Sequence, residues 1–299
     1  MNTSLQNPIE QLQQWTPWQP FENCWKGALI PATPGLYRIR RVGFTGLDYI
    51  GQTGTTLKQR LGMLKGIFDL EMPYRAPHTA APALWALRHN LNCDFEVSVL
   101  PFHGSKQERE GLEALAIALY RQEFKESPTV SFGRIVTGYK ISSSNDSRLV
   151  AAGKRFKGGP SLESSQNHLP GIPPSGKLTS DPTTLNWCNH NWSDWTSITP
   201  GILVSEDTQG LYRIRQAGAT TLTYIGQGGL RSRLLNHLSK VTRLSNQQDR
   251  VFAAAQPLEC SWVESKDWHR HQREELENDL IGAHLLFTGS VPPAQFIGS

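Results

Sequence analysis

The chain of 299 residues is short of several things, and each shortage removes a class of function. It has four cysteines, Cys24, Cys93, Cys188 and Cys260, and no two of them form a CxxC pair. Zinc modules and dithiol redox motifs need such pairs, so neither is expected. Cys93 in LNCDFEVS and Cys260 in LECSWVES stand at apparently matching places, which reads as small buried residues in equivalent strands. No run approaches the ~20 apolar residues of a membrane span, and the opening MNTSLQNPIEQLQQW has no apolar core of the kind a secretory leader carries. A cytoplasmic protein without membrane contact is the expectation. Charge of one sign is scarce too: Lys and Arg number 30 against 26 Asp and Glu, for a formal net of +4. That balance permits a nucleic-acid partner without arguing for one.

What the chain does have is a repeat. GLYRIR at 35–40 followed by YIGQ at 49–52 recurs as GLYRIR at 210–215 followed by YIGQ at 224–227. Tyr37 to Tyr49 is twelve residues, and so is Tyr212 to Tyr224. A repeat with so long a period indicates a duplicated domain rather than a solenoid, and a length near 300 suits two domains of roughly 150 residues each. The expected organisation is an N-terminal domain over 1–157, a linker over 158–185 rich in Ser, Pro, Gly and Asn, and a C-terminal domain over 186–299.

Each repeat opens with paired tryptophans, Trp15 with Trp18 and Trp192 with Trp195, which read either as an aromatic clamp for an N-terminal arm or as stacking surface for bases. The GLYRIR…YIGQ stretch reads as a hairpin. A turn centred on Gly43, or on Gly218, places the two tyrosines of each repeat opposite one another on one face. A helix pattern follows: Leu57, Leu61, Leu64 and Phe68 in the first copy, and Leu230, Leu234, Leu238 and Val241 in the second. Arg60 and Arg233 recur at the same place in it, and His237 lies one turn after Arg233. The first copy then has an insertion carrying His78, read as a loop or capping residue with possible substrate contact, and a helix ending near Asn90; the second has a polar stretch at 245–250.

A later helix in each copy sets a carboxylate into its apolar pattern. Glu113 precedes Ile117 and Tyr120, as Glu277 precedes Ile281 and His284. A carboxylate on an apolar face is costly unless a cation meets it, either a metal ion or an arginine. Beyond the first domain Lys140, Arg148, Lys154, Arg155 and Lys157 form a basic extension, read either as solvated chain or as contacts to a phosphate backbone.

Two tyrosines on a hairpin, an arginine on the next helix and a glutamate on a later one resemble the GIY-YIG nuclease family. The motif pair stands here as GLY at 35–37 with YIG at 49–51, and as GLY at 210–212 with YIG at 224–226. The resemblance covers most of 35–135 and 210–299. It implies an α/β (α+β) fold of two tandem GIY-YIG domains, each a small three-stranded antiparallel sheet flanked by helices. It also implies phosphodiester hydrolysis with one divalent ion per site, Mg²⁺ or Mn²⁺. Carried over by position, Tyr37 or Tyr212 is the base that activates water, and Tyr49 or Tyr224 orients that water or the phosphate. Arg60 or Arg233 offsets phosphate charge, and Glu113 or Glu277 holds the metal. The family often has His or Tyr four residues after the arginine; His237 fills that place, but Leu64 occupies its counterpart. The usual late asparagine is replaced by Ser131 and Gln295. The expected protein is a monomer acting as a pseudo-dimeric restriction or defence endonuclease on double-stranded DNA. A one-site repair or nicking nuclease and a catalytically silent DNA-binding protein are the competing readings.

Overall fold

The computed structural model describes residues 7–73, 78–139, 168–174 and 176–298. In chain order the regular elements are α1 (Pro8–Gln11), β1 (Gln19–Pro20), β2 (Gly35–Arg41), β3 (Tyr49–Thr53), α2 (Leu57–Gly62), α3 (Ala81–Leu91), β4 (Phe95–Pro101) and α4 (Lys106–Phe124). The second copy supplies β5 (Thr196–Ser197), β6 (Gln209–Gln216), β7 (Tyr224–Gly229), α5 (Leu230–Arg243), α6 (Gln247–Ala254), β8 (Leu258–Glu264) and α7 (Arg270–Thr288).

The fold is α+β, with two antiparallel sheets of identical order: β1-β4-β2-β3 and β5-β8-β6-β7. Each sheet has four strands rather than the expected three. The extra one is a two-residue edge strand from the tryptophan arm, Gln19–Pro20 on β4 and Thr196–Ser197 on β8. A pairing this short leaves no periodic pattern to read.

The hairpins form as expected, but each turn is centred one residue later, so that strand partners shift by two. Tyr37 pairs with Gly51 and Tyr49 with Ile39; Tyr212 pairs with Gly226 and Tyr224 with Ile214. The tyrosines are therefore diagonal neighbours on one face, with ring centroids 6.0 Å apart in the first copy and 6.1 Å in the second. This offset explains the glycine of YIG. A Cβ on Gly51 or Gly226 would come within 3.0 Å of the ring of Tyr37 or Tyr212, which lies across that glycine. The first glycine of the motif is equally confined: a Cβ on Gly35 or Gly210 would strike the backbone of Leu100 or Val263 on the adjacent strand. Both glycines are spacers for close approach.

The same register aligns Cys260 with Val97, since Cys260 pairs with Ile214 and Val97 with Ile39. Cys93 lies before its strand and is half-buried, so the match between Cys93 and Cys260 does not hold. The polar stretch at 245–250 enters α6, whose first turn is capped by the Asn246 side chain accepting the Asp249 N–H at 2.9 Å. In the first copy the leucine stripe is broken. α2 ends at Gly62 and a 3₁₀ turn at Lys65–Phe68 follows, whereas α5 runs unbroken over fourteen residues.

The chain separates into two compact units that do not follow the expected boundaries. One comprises 14–103 and 127–170; the other comprises 1–13, 104–126 and 171–299. Helix α4 thus leaves the first repeat's sheet unit and belongs with α7. The reason lies in their contact surfaces. A Cβ on Gly282 would fall within 3.0 Å of the Ala118 side chain, so the two helices meet on small residues. Arg121 of α4 is fully buried and forks onto Asp279 of α7 at 2.8 and 3.0 Å, a bidentate pair, and also donates to the Ile172 carbonyl. Leu115, Ala118, Leu276, Leu280 and Ile281 share one apolar cluster around this contact. No helix among the described residues is long and apolar enough to cross a membrane.

Side chains alternate across each central strand. Tyr37 and Ile39 face the core with Leu57, Leu61 and Leu84, and Tyr212 and Ile214 face Leu230, Leu234 and Phe252. The intervening arginines of GLYRIR point the other way, under the tryptophans. The Arg38 guanidinium lies 4.7 Å from each of the Trp15 and Trp18 rings, and that of Arg213 lies 4.3 and 4.6 Å from Trp192 and Trp195. The tryptophan pairs are therefore clamps on the motif's own arginines.

Candidate active site

The second repeat assembles its tyrosines, arginine, histidine and glutamate within a single compact unit. Tyr212 at the centre of β6 is 1% exposed, while Tyr224 at the start of β7 is half-buried. His237, one turn beyond Arg233 on α5, places its Nε2 at 2.9 Å from the Tyr212 hydroxyl. Lys240 approaches the other ring nitrogen, Nδ1, at 3.5 Å. A lysine donates, so Nδ1 accepts and the proton sits on Nε2, which donates to Tyr212. Burial first, then the charges of Lys240 and Arg233, hold the His237 imidazole down at about 3, so it is neutral.

The Tyr212 and Tyr224 rings lie side by side, 6.1 Å between centroids, close enough for each phenol to influence the ionisation of the other. Burial, then Tyr224 and Glu277, keep the Tyr212 phenol well above its ordinary value, with Arg233 opposing. Burial and Glu277 push the Tyr224 phenol to about 12, again opposed by Arg233. Hydrogen bonds thus run in one direction, from Lys240 through His237 to the Tyr212 oxygen.

Glu277 on α7 lies close enough for its charge to act on both phenols. It is half-buried by area yet enclosed closely enough that burial, reinforced by Glu274, raises its carboxyl to about 8 against the pull of Arg233. It makes no hydrogen bond or ion pair with any described residue, and Arg233, which is exposed, makes none either. An enclosed carboxylate without a partner fits a cation ligand. Among the described residues there is no cluster of three or more His, Cys, Asp or Glu that could hold a metal by itself. Glu277 alone could contribute one carboxylate to a hard divalent ion whose other positions are filled by phosphate oxygens and water. Gln295, the residue in place of the late asparagine, closes the site from behind: its side chain accepts the Ile225 N–H of YIG at 3.1 Å.

In the first repeat Tyr37 is fully buried and Tyr49 half-buried. Arg60 on α2 donates Nε–H to the Tyr37 hydroxyl at 3.4 Å. Leu64 is a core residue with no exposure, and the Tyr37 hydroxyl instead meets His78 Nε2 at 2.7 Å. His78 Nδ1 accepts the N–H of Ala80, the residue before α3, at 3.2 Å, so His78 is tied to the turn entering that helix and touches the tyrosine as well. Burial, with the Arg60 charge behind it, holds its imidazole at about 3. The sequence signal was slight, a single histidine in an insertion.

Glu113 is half-buried on α4 and so belongs to the other compact unit. Ser131, the counterpart of Gln295, is buried with its hydroxyl unpartnered among the described residues. The equivalence of the two C-terminal segments is visible in the backbone. Val130 donates to Asp48 as Ala294 does to Thr223, and Phe132 and Phe296 both have left-handed φ, 55° and 63°. Lys140, Arg148, Lys154, Arg155 and Lys157 lie outside the described residues. Comparison with known proteins finds no matching family model, no matching curated protein and no matching solved structure.

Proposed function

We propose that the chain is a divalent-metal-dependent endonuclease of the GIY-YIG kind, hydrolysing phosphodiester bonds of double-stranded DNA. The observation that carries this reading is Glu277, an enclosed carboxylate with no hydrogen bond or ion pair among the described residues, lying near two phenols and the unpaired Arg233. A structural network would have paired these opposite charges; a site awaiting a phosphate and its metal leaves both open.

In this reading Glu277 holds Mg²⁺ or Mn²⁺, which when bound acidifies water and offsets charge on the leaving oxygen. Arg233 contacts a non-bridging phosphate oxygen, a task its planar fork suits. Tyr212 would be the base: burial holds its proton on, so its ionisation would depend on the bound cation and Arg233, with the His237 N–H meeting the negative charge on its oxygen. Tyr224, the more exposed phenol, orients the attacking water or the phosphate. A second cut made with the first repeat's Tyr37, Tyr49 and Arg60 would let one chain cut both strands as a pseudo-dimer. Supercoiled plasmid incubated with Mg²⁺ is expected to be linearised, EDTA is expected to abolish cleavage, and Glu277→Ala is expected to reduce double-strand cuts to nicks. No metal-dependent cleavage across varied DNA sequences and structures would sink the reading.

A second reading is a single cutting site in the second repeat, whose whole constellation lies within one compact unit. Glu113→Ala distinguishes the two: unaltered linearisation means that the second repeat cuts alone.

A further inference from the structure

Within the endonuclease reading, the two repeats differ most visibly in where a histidine can come from. α5 continues past Arg233, so a residue four positions on lies one turn further along the same face and reaches Tyr212. α2 stops at Gly62, two residues after Arg60, and position 64 then turns into the core. A histidine in place of Leu64 would therefore not be carried along a helix face as His237 is.

We propose that His78 is the positioning residue of the first repeat, supplied from the insertion before α3 and holding Tyr37 as His237 holds Tyr212. The contacts correspond one by one. His78 Nε2 lies 2.7 Å from the Tyr37 hydroxyl, and His237 Nε2 lies 2.9 Å from that of Tyr212. Each ring also packs on the second tyrosine, at 5.6 Å between centroids for His78 with Tyr49 and 4.6 Å for His237 with Tyr224. Each is buried, and each has its Nδ1 engaged by a donor, the Ala80 backbone N–H in one case and Lys240 in the other. Both rings are thereby fixed as Nε2–H donors to the phenol. Two different backbone routes converge on the same atom of the same motif residue. Arg60 adds a second donor to the Tyr37 oxygen. The absence of histidine at position 64 is thus a relocation, and the first repeat keeps a tyrosine prepared to carry negative charge.

The proposal rests on the endonuclease reading and is tested in the full chain carrying Glu277→Ala, where nicking of supercoiled plasmid with Mg²⁺ depends on the first repeat. His78→Leu removes the donor at similar volume and is expected to lower kcat about 10–100-fold, the range for a residue orienting a functional group, with KM changed less than about twofold. His78→Asn keeps an N–H that can face Tyr37 and is expected to recover at least about tenfold of a hundredfold loss. Equal activity of the Leu and Asn variants overturns the proposal, as does a loss confined to KM. If His78→Leu does not fold, a folded His78→Asn variant with no nicking overturns it too. A Glu277→Ala chain that is inert while the wild type cuts likewise refutes it, because the first repeat then has no reaction to support. No Mg²⁺-dependent cleavage by the wild type refutes the endonuclease reading itself, a result distinct from all of these.

Discussion

His237 gives the second repeat an acid sensitivity that can be calculated. Its imidazole titrates at about 3 in the folded chain against 6.5 as its ordinary value, because burial and two nearby cations oppose the charged form. The unfolded chain therefore binds a proton that the folded chain refuses across that interval. Stability from this group is complete above pH 6.5 and is lost as pH falls through 6.5 toward 3. Between about pH 7.5 and about pH 5 the loss comes to about 2 kcal/mol, since each unit of difference is worth about 1.4 kcal/mol. Urea unfolding of the wild type and of His237→Gln at those two values isolates the group. His190 and His284, both held at about 4 by burial, steepen the slope of both proteins alike and cancel in the difference. The variant is expected to lose about 2 kcal/mol less than the wild type on acidification. Equal losses would mean that His237 is charged or solvated in the fold, and the direction of donation to Tyr212 would fail with it.

Three other outcomes follow from contacts described above. Gly226→Ala forces a methyl group into the Tyr212 ring, so it is expected to abolish cleavage at the second repeat and to destabilise its unit by about 1–3 kcal/mol, as overpacking does, read from plasmid nicking and thermal unfolding. Arg213→Ala is expected to cost more than Arg38→Ala in urea unfolding. Arg213 is fully buried between tryptophans and donates to the Pro182 and Thr184 carbonyls and to Ser261, whereas Arg38 is half-buried and, among the described residues, donates to Ser98; each lost charged hydrogen bond costs about 1.5–3 kcal/mol. Asp279→Asn removes one of the two carboxylates facing the buried Arg121 guanidinium, Glu275 remaining at 3.7 Å, and is expected to destabilise the α4–α7 contact by about 1.5–3 kcal/mol, with unfolding again the measurement.

The repeat made much of this fold legible. GLYRIR and YIGQ announced paired strands because their apolar and polar residues alternate, and Leu230 and Leu234 announced a helix by their spacing. Register was less accessible. Midpoint symmetry placed the turn on a glycine, but in the first copy Asp48 accepts the Arg41 backbone N–H at 2.7 Å, and a two-residue shift of strand partners moved the tyrosines from opposite to diagonal. Aligning Cys93 with Cys260 by local resemblance failed because only strand pairing reveals that Val97 is the counterpart. His78 was nearly invisible, since its role depends on a contact across forty-one residues and no spacing rule connects an insertion to a strand. The grouping of α4 with α7 was hidden for a similar reason. Gly282 and Ala118 are small residues whose meaning appears only once two helices from different repeats are seen to touch.

That last contact bears on how the two halves could ever be taken apart. A fragment ending at 157 would carry α4 without the helix that covers its Leu115 and Ala118 face, and would leave Arg121 with neither Asp279 nor the Ile172 carbonyl. Its complement would present the matching bare surface on α7. Each copy of the motif is continuous in sequence, but the apolar seam between α4 and α7 joins one copy to the other. Co-expressed halves should reassociate through this seam, and either half alone should aggregate.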